Sequence, residues 1–367
     1  MIVERIELLD YRNYESAAFE LTTGTTAVLG RNGQGKTNLA EALAYLATLS
    51  SFRGAPPAAL VRVGAETGVI RATIREDDDR RVLIEAELSR VGRNRVQLNK
   101  QKLGRTRDLL GVMRVSVFAP DDLIIVKGGP SERRRFLDDT LVALKTSYDA
   151  MRLELDRIVR QRNSLLKQAG GRLSEEIEIT LDVWDARLAE VGEQLGYARA
   201  TLVARCQPMV SEAYEQLAGE VSPIELIYEP EWRRTGLVEA LAASRSTDVR
   251  RGVSTVGPQR DELEIGVNGL PARTHASQGE QRTLALAMRL AAHRLVAERT
   301  GSSPVLVLDD VLSELDPVRA AALLANLPPG QVVITSASPL PAAAKPERVV
   351  EIRSGTVVDD RTSDDQP

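Results

Sequence analysis

Cysteine is nearly absent from the chain. Cys206 stands alone among 367 residues, which excludes a disulfide framework and a cysteine-based zinc cluster. Histidine is almost as scarce, with only His275 and His293, so a His-based metal centre is not expected. Aromatic residues make up 4%, too few for base stacking to dominate a contact with single-stranded nucleic acid. Positive charge is not in excess either. The net charge is −4, so any nucleic-acid contact has to be local. No apolar run approaches the ~20 residues needed to span a bilayer, and Met1-Ile2-Val3-Glu4-Arg5-Ile6-Glu7 carries charges where a secretory signal is apolar. No membrane partner is expected, and a reducing cytoplasm is the expected location. What remains is an ordinary globular composition, 43% hydrophobic and 27% charged, able to bury a core. The length suits two domains, or one large domain with an insertion.

The stretch Gly30-Arg31-Asn32-Gly33-Gln34-Gly35-Lys36-Thr37 organises the rest. It follows the apolar run Thr26–Leu29 and opens a segment of helical period at Leu39, Leu43 and Leu46. In that strand–turn–helix context, G-x-x-x-x-G-K-[ST] is a phosphate-binding P-loop. Its glycines let backbone N–H groups curl around an anion, and the helix N-terminus adds positive dipole. Lys36 is expected on the β- and γ-phosphates of ATP or GTP, and the Thr37 hydroxyl on Mg²⁺.

Residues 2–9 alternate as a strand, Asp10–Tyr14 make a turn, and residues 69–74 and 82–88 read as strands joined by the acidic turn Glu76–Asp79. Val96–Leu98 and Val115–Phe118 add two more. From Arg133 the period changes. Leu137, Leu141, Leu144, Tyr148, Met151, Leu155, Ile158 and Leu165 step by three and four, with Arg162 at the one missing seam position. Gly170-Gly171 interrupts the pattern, which resumes from Ile177 to Leu202. Such spacing on both sides of a Gly-Gly turn predicts an antiparallel hairpin of two long helices, each about 45–55 Å. Pro208 and Pro223 are expected to bracket a shorter helix, and Arg245–Arg251 to form a polar connection. After residue 260 an α/β pattern returns: strands at Glu262–Val267, Val305–Leu308 and Val332–Thr335, and a helix at Gln281–Ala297. The expected fold is therefore α/β, a mixed-sheet P-loop head with an inserted helical arm. Its parts are residues 1–130 and 251–360 for the head, 131–250 for the arm, and 361–367 as a disordered tail, fraying from Asp359.

Val305-Leu306-Val307-Leu308-Asp309-Asp310 sets two carboxylates at the end of a strand expected in the sheet centre. Asp309 is placed to hold Mg²⁺ with Thr37. Asp310 then faces the space beyond the γ-phosphate, where a base orients attacking water. Ser277-Gln278-Gly279-Glu280-Gln281, ahead of the next helix, resembles the signature motif of ATP-binding-cassette ATPases; Ser313-Glu314-Leu315-Asp316 resembles their D-loop. That resemblance implies Ser277 and Gly279 capping the γ-phosphate held by a second subunit, with Asp316 at the same interface.

Thr37 and Ser277 are 240 residues apart, far more than in transporter subunits, and the surplus is filled by the arm. The layout resembles the Rad50, SMC and RecF branch, with an arm too short for the first two. The resemblance to the RecF family covers the whole chain. Its marks are Leu9-Asp10-Tyr11-Arg12-Asn13-Tyr14, Gly30–Thr37, Ser51-Phe52-Arg53, Gly128-Gly129-Pro130-Ser131-Glu132-Arg133-Arg134-Arg135-Phe136-Leu137-Asp138, Gln161-Arg162-Asn163, Gly257-Pro258-Gln259-Arg260-Asp261-Glu262-Leu263, the signature, and Leu308–Asp316. It implies an ATP-dependent DNA-binding protein of gap repair that dimerises on ATP, hydrolyses it slowly, and works with RecO and RecR to load RecA. It also sets Arg12 and Asn13 near the nucleotide. Four positions depart from the pattern. Asp310 replaces a glutamate, Pro120-Asp121-Asp122 stands where a glutamine is expected, with Asp121 its stand-in, Thr335-Ser336 replaces the switch histidine, and Gln259 replaces a histidine.

Arg90, Arg93, Arg95, Lys100, Lys102, Arg105 and Arg107 form an acid-free run in an acidic chain, the best candidate for phosphate-backbone contact with duplex DNA or a single-strand/duplex junction. Basic residues on the first arm helix, among them Arg152, Arg157, Arg160, Arg162 and Lys167, are the second candidate, against a plain solvated face. Two other classes remain open: an ATPase coupled to a membrane transporter, and a P-loop kinase of small molecules.

Overall fold

The computed structural model describes residues 1–362. In chain order it begins with β1 (Ile2–Tyr11), β2 (Tyr14–Glu20), β3 (Thr25–Leu29), α1 (Lys36–Thr48), β4 (Thr67–Arg75), β5 (Arg81–Ser89), β6 (Arg95–Leu98), β7 (Gln101–Lys102) and β8 (Val115–Phe118). The single turn α2 (Ile124–Lys127) leads to α3 (Pro130–Leu144), α4 (Ser147–Gln168), α5 (Glu175–Ala218), β9 (Ile224–Ile227) and α6 (Leu237–Arg251). Then come β10 (Glu264–Val267), β11 (Leu270–Pro271), the single turn α7 (Ala272–His275), α8 (Gln278–Thr300), β12 (Val305–Asp309), α9 (Pro317–Ala325), β13 (Val332–Ser336), β14 (Arg348–Arg353) and β15 (Thr356–Thr362). The chain divides into two compact units. One comprises Met1–Asp122, Ala213–Glu220 and Leu286–Pro367, the other Leu123–Glu212 and Val221–Ala285. The second unit thus runs on past residue 250 and includes the Ser277 motif.

The first unit carries two six-stranded sheets. One has the order β2-β1-β4-β5-β6-β7, antiparallel throughout. Its strands alternate, as in β4, where every second residue is buried, because one face packs inward and the other meets water. The second sheet has the order β15-β14-β3-β13-β12-β8. Its strands β14, β3, β13, β12 and β8 run parallel. Both β12 and β13 are buried at every residue, which is why they open as the apolar runs Val305–Leu308 and Val332–Ile334. One core joins Ile6 and Leu8 of the first sheet, Leu39 and Leu43 of α1, and Val307 and Val333 of the second. The P-loop helix is therefore anchored by its apolar side.

In the second unit, α4 and α5 form the expected antiparallel hairpin, with α6 as a third helix. Leu166, Ala169, Leu181 and Val249 share one apolar cluster. Arg162, at the odd seam position, has no exposed surface and bonds Asp185 of α5, Asp248 of α6 and Ser254. A fully buried, paired arginine is not a DNA contact, so it drops out of the arm candidates.

Four expectations are corrected. The chain breaks between α3 and α4 at Lys145-Thr146, so the first hairpin helix is only about 33 Å long and α5 about 66 Å. Pro208 lies inside α5, not at a boundary. The missing donor is outweighed locally, since Gln207 bonds the Ile224 carbonyl and the Leu226 N–H, pinning the helix to β9, and Cys206 and Val210 stay buried on either side. Arg245–Arg251 is helical, the last turns of α6, because Asp248 and Val249 are core residues. Residues 359–362 belong to β15, paired with β14; the rest of the expected tail, 363–367, lies outside the described residues.

Candidate nucleotide site

The P-loop joins β3 to α1. Gly35 precedes the helix with φ of +124°, a conformation L side chains rarely adopt. Arg31, Asn32 and Gly33 are exposed, while Lys36 is buried, its Nζ donating to the carbonyls of Gly30 (2.7 Å) and Arg31 (3.1 Å). Burial lowers the Lys36 ammonium from its ordinary range, and the nearby Asp310 and Asp309 oppose that shift. The Asp309 carboxylate closes the site from the other end of the chain. Its Oδ1 accepts from the hydroxyls of Thr37 (3.1 Å) and Thr335 (2.7 Å). Burial raises Asp309, while the two threonines pull it down.

Asp310 takes a left-handed conformation, φ 53°, with its N–H on the Thr335 hydroxyl (3.1 Å) and one carboxylate oxygen buried without a hydrogen-bond partner. Thr335, at the switch position, is thus spent on the Asp309 carboxylate and the Asp310 backbone N–H. Asp316 caps α9, accepting from the N–H groups of Val318 and Arg319 and from the Arg319 guanidinium. Asp121 is exposed. Its neighbour Asp122 is the bonded one, accepting from Ala119 N–H and from Arg289 (2.6 Å).

The turn between β1 and β2 lies behind the P-loop. Asn13 donates to the Gln34 carbonyl (2.8 Å) and the Tyr14 hydroxyl to the Gly35 carbonyl (2.8 Å). Arg12 grips Glu41 of α1 with two bonds of 2.7 Å. Ser51 and Tyr11 also donate to Glu41, which has no exposed surface. The Glu41 carboxylate in turn holds the Arg12 guanidinium above its ordinary range. Two of the family marks, Tyr11–Tyr14 and Ser51–Arg53, therefore meet on one buried carboxylate. Glu41 escaped the sequence reading, although a charge amid Leu39-Ala40-Glu41-Ala42-Leu43 is its signal; Tyr14 and Thr335 were missed as supports too.

In the second unit, Ser277 and Glu280 form a capping box at the start of α8. The Ser277 N–H donates to the Glu280 carboxylate (2.7 Å), and the Glu280 N–H to the Ser277 hydroxyl (3.3 Å). Gly279 lies in the first turn, its carbonyl accepting from Thr283, and Gln281 ties the helix to the carbonyls of Ala272 and Arg273. The two remaining motif runs build this unit's polar core. Arg133 pairs with Glu262 through two bonds, Arg134 donates to the Asp261 carbonyl, and Arg199 pairs with Asp138 and the Pro258 carbonyl. Asp261 accepts from Tyr228 and Trp232. Gln259 turns back onto the Val256 carbonyl (2.8 Å).

The basic candidates Arg93, Arg95, Lys100, Lys102 and Arg105 are all exposed, the first four on the β5–β6 turn and the β6–β7 edge of the antiparallel sheet and Arg105 just beyond β7. Arg95 lies 3.5 Å from Glu87. Among the described residues no acid pairs with Arg93, Lys100 or Lys102. Further in, the same sheet neutralises itself, as where Arg71 bridges Glu7 and Glu85. No helix among the described residues is long and apolar enough to cross a membrane.

The family model described as the RecF/RecN/SMC N terminal domain matches residues 2–354. The DNA replication and repair protein RecF of Streptomyces avermitilis is 45% identical, over 92% of this chain and 94% of that protein. The RecF of Kineococcus radiotolerans is 42% identical over 98% and 99%. A solved structure of the recombination mediator RecF with ATP, of the RecFOR pathway, superposes with a TM-score of 0.88 at 30% identity, covering 98% of this chain and 97% of that one. The Smc head domain of Pyrococcus furiosus shares the fold, with a TM-score of 0.59 at 16% identity.

Arg12→Ala strands the Glu41 carboxylate in the core. The expected loss is about 3–5 kcal/mol of unfolding free energy, against under ~1 kcal/mol for Arg5→Ala on the exposed sheet face. Urea unfolding of both variants checks this; equal and small losses would deny Glu41 its role.

Proposed function

The chain belongs to the RecF family of DNA replication and repair proteins, and from that premise we propose that it is an ATP-dependent DNA-binding protein of recombinational gap repair. Two copies close head to head on ATP. Slow, DNA-stimulated hydrolysis then releases them, and the protein works with RecR and RecO in loading RecA. The observation that carries the reading is the Thr37–Asp309 hydrogen bond, which brings P-loop and acidic strand end into one site.

Lys36 and the P-loop N–H groups bind the triphosphate. Thr37 and Asp309 are the residues that would hold Mg²⁺. An all-oxygen pair within 3.1 Å, beside a carboxylate oxygen of Asp310 left unpaired, suits a hard cation that keeps most of its waters. A Mg²⁺ ion held there would supply positive charge against the triphosphate. Asp310 is the group placed to orient water and accept its proton. Its side chain is one methylene shorter than glutamate, in keeping with slow turnover. Ser277, Gly279 and the N-terminal dipole of α8 supply the cap for the γ-phosphate held by the other copy, with Asp316 at that interface. Arg12 acts from behind the loop, through Glu41.

DNA is read through its phosphates. Arg93, Arg95, Lys100, Lys102 and Arg105 offer clustered, largely unpaired charge on a sheet edge, which favours duplex or junction binding with little sequence preference.

Ser277→Arg is expected to leave ATP binding intact and to abolish ATP-induced dimerisation in sedimentation velocity; dimers that persist would contradict the shared pocket. Charge reversal at Arg93, Arg95 and Lys102 is expected to lower the salt slope of DNA binding by about 2–3. An unchanged slope would move the DNA elsewhere.

A further inference from the structure

We infer that Asn13, Tyr14 and the Ser354–Gly355 turn are positioning residues of the phosphate cradle: by tying the Gln34 and Gly35 carbonyls outward, they aim the Gly35 and Lys36 N–H groups at the anion. The inference rests on the nucleotide-binding reading above and assigns a role to side chains that do not themselves touch phosphate. In a planar trans peptide, C=O and N–H point in opposite directions. Fixing the carbonyl of Gln34 therefore fixes the N–H of Gly35, and fixing that of Gly35 fixes the N–H of Lys36.

Both carbonyls are saturated. Gln34 O accepts from Asn13 Nδ2 (2.8 Å) and Gly355 N (3.0 Å), while Gly35 O accepts from the Tyr14 hydroxyl (2.8 Å) and Leu39 N (3.0 Å). Two donors fill both lone pairs of a carbonyl oxygen. Ser354 N–H also bonds the Gln34 side chain. The braces are themselves fixed. Asn13 Oδ1 accepts from Asn38 (2.7 Å), one position beyond Thr37. Tyr14 has no exposed surface, its ring stands edge-on to Phe19, and burial raises its hydroxyl above the ordinary phenol range, so it stays a donor. A Cβ on Gly35 would come within 2.7 Å of that hydroxyl, so the tyrosine fits against the loop only where residue 35 is glycine. The donors act on two consecutive P-loop peptides. Preorganised N–H groups bind an anion without the reorganisation a free loop would need.

Asn13→Asp and Tyr14→Phe keep shape and remove a donor each. Titration with a fluorescent ATP analogue should show about three- to tenfold weaker binding for each and a larger loss for the pair. In steady state KM for ATP rises while kcat changes by less than about twofold, because the N–H groups hold phosphate before and during reaction alike. Melting temperatures show whether the variants remain folded, and Tyr14→Phe, which loses one oxygen, carries the test where the pair is unstable. Unchanged affinity and KM in Tyr14→Phe and Asn13→Asp, with binding lost in Lys36→Ala, would overturn the positioning role and leave the nucleotide reading standing. Normal ATP binding by Lys36→Ala would overturn the reading itself.

Discussion

The hydrogen bond from Thr37 to Asp309 joins residues 272 apart in the chain, and the nucleotide site depends on it. A P-loop alone binds phosphate; it becomes a site for Mg²⁺-ATP only where an acid from another strand of the sheet meets its hydroxyl. The parallel order β3-β13-β12 brings the two strand ends to one edge of the sheet. Thr335, at the end of the strand between them, donates to the same carboxylate. The two strands are thus the means by which a carboxylate can be held, buried, opposite the loop.

Behind the loop stands a second layer, equally built from distant sequence. The β1–β2 turn spends Arg12 on Glu41 and Asn13 and Tyr14 on P-loop carbonyls. Buried ion pairs are costly to break and add little net stability while intact; their value here is that they leave α1 one position to occupy. The second unit uses the same device with Arg162, Arg199 and Arg133, each set on carboxylates from other segments. Most of the motif runs that mark the family are these structural pairs, and the proposed chemistry is left to the P-loop, the acidic strand end and the signature.

That division explains what was legible in the sequence. The P-loop, the buried strands β12 and β13 and the seam of the arm follow from local pattern, since periodicity and glycine spacing are local signals. The role of Glu41 was hidden because its reason lies in two other segments, and Arg162 looked like a surface charge for the same cause. Pro208 and the polar run of α6 misled because tertiary anchors, Gln207 on β9 and Asp248 under Arg162, outweigh local propensity. Thr335 was read only as the replacement of a switch histidine, and its hydroxyl is committed to Asp309.

The proposed sharing of one site between two copies would have a kinetic signature. The most direct measurement is the rate of ATP hydrolysis per molecule as protein concentration is raised, with and without duplex DNA. The rate should climb with concentration until dimers saturate, and DNA should shift that rise to lower concentration. A rate per molecule that stays flat across the range and ignores DNA would contradict the shared nucleotide pocket.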